Sequence, residues 1–156
     1  MASKLVAARI ASWSGVRAVI AQADREGVLV DAVEGSTAVG TTFEGHNRKL
    51  SARKLWIAFA SGVAGTVVID DGARRALVDR HTSLLPAGVT DVHGTFYEGA
   101  TVEVSTQSGE VVARGMVLVD SATARLVAGR RTVDLPSDVA HEIVHRDDLV
   151  VLTTLR

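Results

Sequence analysis

GTVVIDDGARRAL, residues 65–77, sets the reading of the chain. TVVID (66–70) is a β-branched run that reads as a strand, and DGARRALVDRH (71–81) reads as a short helix. The texture downstream stays of this kind. VTDVHG (89–94), ATVEVST (100–106) and VVARGMVLV (111–119) follow as strands at close spacing. Turn signals separate them at Tyr97-Glu98-Gly99 and Gln107-Ser108-Gly109-Glu110. SATARLVAG (121–129) reads as a second short helix ended by Gly129, and LVVLTTL (149–155) as a closing strand. Many short strands with two small helices predict a compact, partly closed β-barrel. No internal repeat and no low-complexity tract stand out.

Upstream of Gly65 the pattern is different. Residues 3–14 read as a helix, because Val6, Ile10 and Trp13 fall at i, i+4 and i+7 and Gly15 can stop it. Residues 16–21 read as a short buried strand. Residues 24–33 read as a helix closed by Gly35, and TAVGTTF (37–43) as another strand. The order α-β-α-β is that of a layered α/β piece. HNRKLSARK (46–54) is the most basic cluster and the expected connector, with Ser51 capping a helix through Trp56 and Phe59. A turn at Ser61-Gly62 ends it. The expectation is an α+β chain in three parts: a layered piece at 1–46, a connector helix at 47–64, and the barrel at 65–156.

Composition narrows the chemistry. The chain has 156 residues, 47% hydrophobic and 22% charged, with net charge −1. This is globular, with no overall basic field to draw in nucleic acid. It has no cysteine, so any metal would need His, Asp or Glu. Lys4 and Arg9 interrupt the N-terminal apolar stretch and leave no signal-peptide core. The longest uncharged run, residues 55–69, is short for a bilayer span and diluted by Ser, Gly and Thr. A cytoplasmic protein without a membrane partner is expected.

HEIVH (141–145) spells the zinc-peptidase motif. That chemistry needs a helix, which puts His141 and His145 one turn apart with Glu142 as general base. In a strand the two histidines stand roughly 13 Å apart, too far to share an ion. Ile143, Val144 and residues 149–152 favour a strand, with Arg146-Asp147-Asp148 as a turn between them. No metal site is expected there.

MASK (1–4) places Ser3 and Lys4 where the first helix begins. Free N–H groups at a helix start attract phosphate, and a lysine there adds a full charge. Because it opposes the helix dipole, such a lysine gains from an anionic partner. Ser3 as a simple N-cap and Lys4 as an ordinary surface residue are the competing reading. Neither a Walker-type loop, nor G-x-G-x-x-G, nor a G-x-S-x-G elbow accompanies the pair.

Seven stretches, in order along the whole chain, resemble the C-terminal part of the glutamate 5-kinases. MASKLVAARIA (1–11) is similar to the Met-x-[Ser/Thr]-Lys-Leu-x-Ala-Ala stretch near the end of that family's amino-acid-kinase domain. VGTTF (39–43) is similar to a strand of the same domain, and LSARKLWIAF (50–59) to its connector. GTVVIDDGARRAL (65–77), SLLPAGVTDVHGTF (83–96), VVARGMV (111–117) and IVHRDDLV (143–150) resemble its PUA domain, a small β-barrel shared with RNA-modifying enzymes.

The resemblance implies that 1–46 is the end of a kinase domain and 65–156 a PUA domain. It implies phosphorylation of the side-chain carboxylate of L-glutamate by ATP with Mg²⁺, the first step of proline biosynthesis, in an enzyme that is a homo-oligomer when complete. Met1, Ala2, Ser3 and Lys4 become nucleotide contacts, with Lys4 the catalytic stabiliser of phosphate charge. The family's glycine-bearing phosphate strand and glutamate site would precede Met1, so these 156 residues alone are expected to be inactive. The alternative is a stand-alone module that binds structured RNA, or one that serves regulation or assembly. From Arg53 onward 11 Lys/Arg face 13 Asp/Glu, which gives little pull on a polyanion. Arg74-Arg75 and Arg130-Arg131 are the candidate basic patches, and Trp56 and Phe59 the candidate packing residues.

Overall fold

The computed structural model describes residues 1–36, 38–47, 50–136 and 141–152. The chain divides into two compact units, Met1–Leu55 and Trp56–Arg156. The division falls inside the stretch expected to be the connector.

The first unit holds α1 (Ala2–Trp13), β1 (Ala18–Ala21), α2 (Val28–Glu34), β2 (Gly40–Phe43) and α3 (Ala52–Leu55). β1 and β2 pair antiparallel, from Ala18 opposite Phe43 to Ala21 opposite Gly40. Every element begins later or ends earlier than the sequence suggested. α2 starts at Val28 because Gly27 sits in the left-handed region at φ 72°, which no helix interior accepts. β1 is half-buried rather than buried. Thr37, expected in β2, lies outside the described residues. The C-terminus of α1 is tied down by Ser12 Oγ donating to Glu44 O, His46 N–H to Ser12 O at 2.8 Å, and Leu50 N–H to Trp13 O at 3.1 Å. His46 also stacks on the buried Trp13, with ring centroids 3.8 Å apart.

The second unit opens with a π-helical turn, Trp56–Ala60, running on directly from α3. The expected helix through Trp56 and Phe59 therefore changes register halfway. β3 (Val63–Ile69), α4 (Asp71–Arg80), β4 (Val89–Gly94), β5 (Thr101–Thr106), β6 (Val111–Val117), α5 (Ser121–Val127) and β7 (Val144–Val151) follow. They form one five-stranded sheet in the order β4-β3-β5-β6-β7. Only β3 and β5 pair in parallel. The core is the inner face of this sheet with both helices against it: Val67, Ile69, Leu77, Val104, Val117 and Val127 are at most 2% exposed.

Two sequence readings are corrected here. Arg146-Asp147-Asp148 is not a turn but part of β7, which bulges. Four residues, 145–148, stand opposite Met116 alone, between the pairs Val117–Val144 and Gly115–Leu149. The buried Ile143 and Val144 pair with Leu84 across the other side and fix the strand's start.

A repeat also exists. β3-α4-β4 and β6-α5-β7 are the same strand–helix–strand unit, flanking β5 on either side. Their helices open fifty residues apart on Asp70 and Asp120, which cap Ala73 N–H and Thr123 N–H, each at 2.7 Å. Apart from the caps, few residues are shared at that offset, so the repeat lies in burial pattern and geometry rather than in spelling.

Candidate functional site

The four residues singled out at the N-terminus all lie on the first turn of α1. Met1, not Ser3, occupies the N-cap position, with its backbone O accepting from Lys4 N–H at 3.1 Å and Leu5 N–H at 3.3 Å. No side chain caps the helix and no acid stands in its first turn. The leading N–H groups are thus left for solvent or a ligand. Met1, Ala2, Ser3 and Lys4 are all exposed.

Lys4 stands on a groove of about 370 Å³ between α1 and β1. Ala7 and Ala8 form one wall, one turn along the helix from Lys4, and Ala18, Val19, Ile20 and Ala21 form the other. Small side chains on α1 are what leave the space. Lys4 is the one charged residue among those lining it. A single cation on an open groove with small apolar side chains can take a ligand with an anionic end. The partial positive charge of the α1 start acts in the same direction.

HEIVH does not form the peptidase geometry. His141 and Glu142 belong to no helix, and His145 lies in β7. Its Nδ1 accepts from Asp147 N–H at 3.2 Å and lies 3.6 Å from Asp147 Oδ2, so it serves the bulge. Among the described residues no three His, Asp or Glu side chains converge on a point that could hold a metal.

The candidate basic patches are poorly placed for a polyanion. Arg74 pairs with Glu110 at 3.7 Å, in a groove of about 630 Å³ whose other charged residues are Asp70, Asp71 and Glu110. Arg130 and Arg131 are exposed beyond α5. Two arginines not singled out from the sequence do more. Arg114 binds Glu103 and the carbonyl of Ala58. Arg125 donates to the carbonyls of Val92, at 3.2 Å, and Gly94. A signal for Arg114 existed: it is the one charged residue in the otherwise uncharged strand VVARGMV.

Comparison with known proteins sharpens both units. Residues 65–138 match the family model of the PUA domain. A glutamate 5-kinase of Rhodococcus opacus is 44% identical over 152 residues, covering 97% of this chain and 40% of its own length. One from Mycolicibacterium vanbaalenii is 40% identical over the same shares, and one from Haemophilus influenzae is 37% identical, over 98% of this chain and 42% of its own. This chain therefore spans about two fifths of the length of the curated relatives it matches. Among solved structures, a PUA domain from Aeropyrum pernix is 30% identical, covers 60% of this chain and 50% of its own, and has a TM-score of 0.40.

Proposed function

We propose, for a chain whose residues 65–138 are a PUA domain and which follows the glutamate 5-kinases along nearly all its length, that it is the C-terminal part of such a kinase. The observation that carries this is the reach of the similarity, 97% of the chain. A stand-alone barrel would match only beyond the connector, whereas here the first unit matches as well.

The first unit supports the same reading physically. No residue of α2 is fully buried: Leu29, Val30 and Val33 are 78%, 59% and 80% exposed, and Leu5 and Val6 of α1 are also open. Apolar helix faces of this kind need a cover. The occupant we assign is the remainder of the kinase domain, which the relatives carry in the other three fifths of their length.

In the complete enzyme a side-chain carboxylate oxygen of L-glutamate attacks the terminal phosphorus of ATP, and ADP leaves with the bridging oxygen. Both reactants are anions, so the protein's part is positioning and charge neutralisation. The Lys4 groove would take a nucleotide, with the base over the alanines and Lys4 and the N–H groups of Ala2 and Ser3 toward phosphate, beside Met1. Mg²⁺ finds no holder here. No carboxylate lies in the first turn of α1 or lines the groove, and the ion would offset phosphate charge from residues elsewhere in the complete enzyme.

The test is a chimera. The upstream three fifths of the Rhodococcus opacus relative is joined in frame to this chain, and glutamate-dependent ADP release is measured beside the 156-residue chain alone. The chimera turns over and the chain alone does not. K4M in the chimera lowers kcat about 100-fold. Turnover by the chain alone, or a silent but folded chimera, overturns the reading.

The PUA match favours one second reading, a barrel that holds structured RNA. The carboxylates around Arg74 weigh against it. Binding of a structured RNA at low salt that weakens steeply as salt rises would support it.

A further inference from the structure

The family match begins at residue 65, but the barrel does not. Residues 56–60 lie against β6 and β7, with Ile57 fully buried and Ala58 4% exposed. They end a helix that begins at Ala52, and the end of any helix leaves carbonyls without partners. Three carbonyls near this end have partners. Trp56 O accepts from Ser61 N–H at 2.9 Å, five residues on, which is the π spacing. Ile57 O accepts from Ser61 Oγ–H at 3.0 Å. Ala58 O accepts from the guanidinium of Arg114, at 3.0 Å through Nη1.

Arg114 is itself held. Its Nε and Nη2 donate to Glu103 Oε1 at 3.3 and 2.8 Å, across the register pair Glu103–Arg114 of β5 and β6. Both side chains are about three-quarters buried. The remaining face of the guanidinium is turned to the helix end, where its charge meets the negative pole of the dipole. A cation fixed on the sheet thus does for this helix what a glycine or a terminal lysine does elsewhere. A planar guanidinium can bridge carboxylate and carbonyl at once, and an ammonium cannot match that geometry.

We propose that Arg114 is a latch that makes residues 56–61 a permanent part of the barrel. Residues 56–61 then belong to the folded barrel. Glu103 orients the latch and Ser61 completes it. The working boundary of the barrel lies near Trp56, nine residues before the family match starts. This does not depend on the kinase reading, since every group named belongs to the second unit.

Hydrogen exchange read by mass spectrometry on the full 156-residue chain tests the latch. In R114M the amides of residues 57–62 exchange about tenfold faster or more, while β3 and β5 keep their wild-type protection. R114K, with charge but no fork, falls between the two. Wild-type exchange over 57–62 in R114M overturns the proposal, and so does a rise shared equally by β3 and β5, which would make Arg114 a general stability residue. If R114M does not fold, E103M decides. Faster exchange confined to 57–62 supports the latch, and unchanged exchange there overturns it.

Discussion

Asp70 and Asp120 show how much a single residue can set in this barrel. Each follows a strand and starts a helix by accepting the N–H three residues on. Asp70→Ala lowers stability by about 1 kcal/mol in a urea melt. Asp120 adds a pH signature. Hydrogen bonds from the Thr123 backbone N–H, and then from its side chain, hold the Asp120 carboxyl below the usual carboxylate range. A folded value below the unfolded one means the contribution is present above about pH 3.9 and lost as pH falls through the folded value. D120N still caps but does not titrate, so the gap in urea midpoint between wild type and D120N stays flat above about pH 5 and closes in stronger acid. A gap that is constant down to pH 3 would contradict this. The caps were half legible. Strand followed by helix was plain from the run TVVID to DGARRAL, but that the second Asp repeats the first was hidden, because so few of the residues between them are shared.

At the scale of elements, strand and helix identity in the barrel followed from β-branched runs and turn residues, and β4 runs from Val89 to Gly94 as read. What failed was β7. Asp and Arg are poor strand formers, so HRDD looked like a turn. Buried Val144 and Leu149 on either side hold it in the sheet and push the extra residues into a bulge. The edge at β4 could not be read from sequence either, since its partner is an arginine on a distant helix. Arg125 donates to two carbonyls of that edge strand, where another chain could otherwise pair. R125M is expected to cost about 1–2 kcal/mol. It should also produce concentration-dependent self-association in sedimentation velocity, and a monomer at every concentration would sink that expectation.

On the scale of the whole molecule, the two units differ in how much they bury. Among the described residues of Met1–Leu55 only Ala8, Ser12, Trp13 and Val39 are buried, against a continuous core in the second unit. A segment of that size with so small a core cannot offset its chain entropy. Residues 56–156 expressed alone should therefore melt in one cooperative transition, and residues 1–55 alone should show no cooperative melt by circular dichroism. The candidate nucleotide site was legible as a lysine at a helix start, but the alanine-lined groove beside it was not, because it needs β1 opposite α1. The sheet order has one more consequence, in time rather than in space. β5 and β6 join residues no more than 15 apart, as in Thr101 with Met116, whereas β3 must wait for β5 across 37 or 38 residues and β6 for β7 across 27 to 38. Closing short loops first costs least, so the β5–β6 hairpin is the expected folding nucleus and β3 and β7 are late additions. Stopped-flow kinetics would then show Val104→Ala slowing refolding and Val150→Ala mainly speeding unfolding.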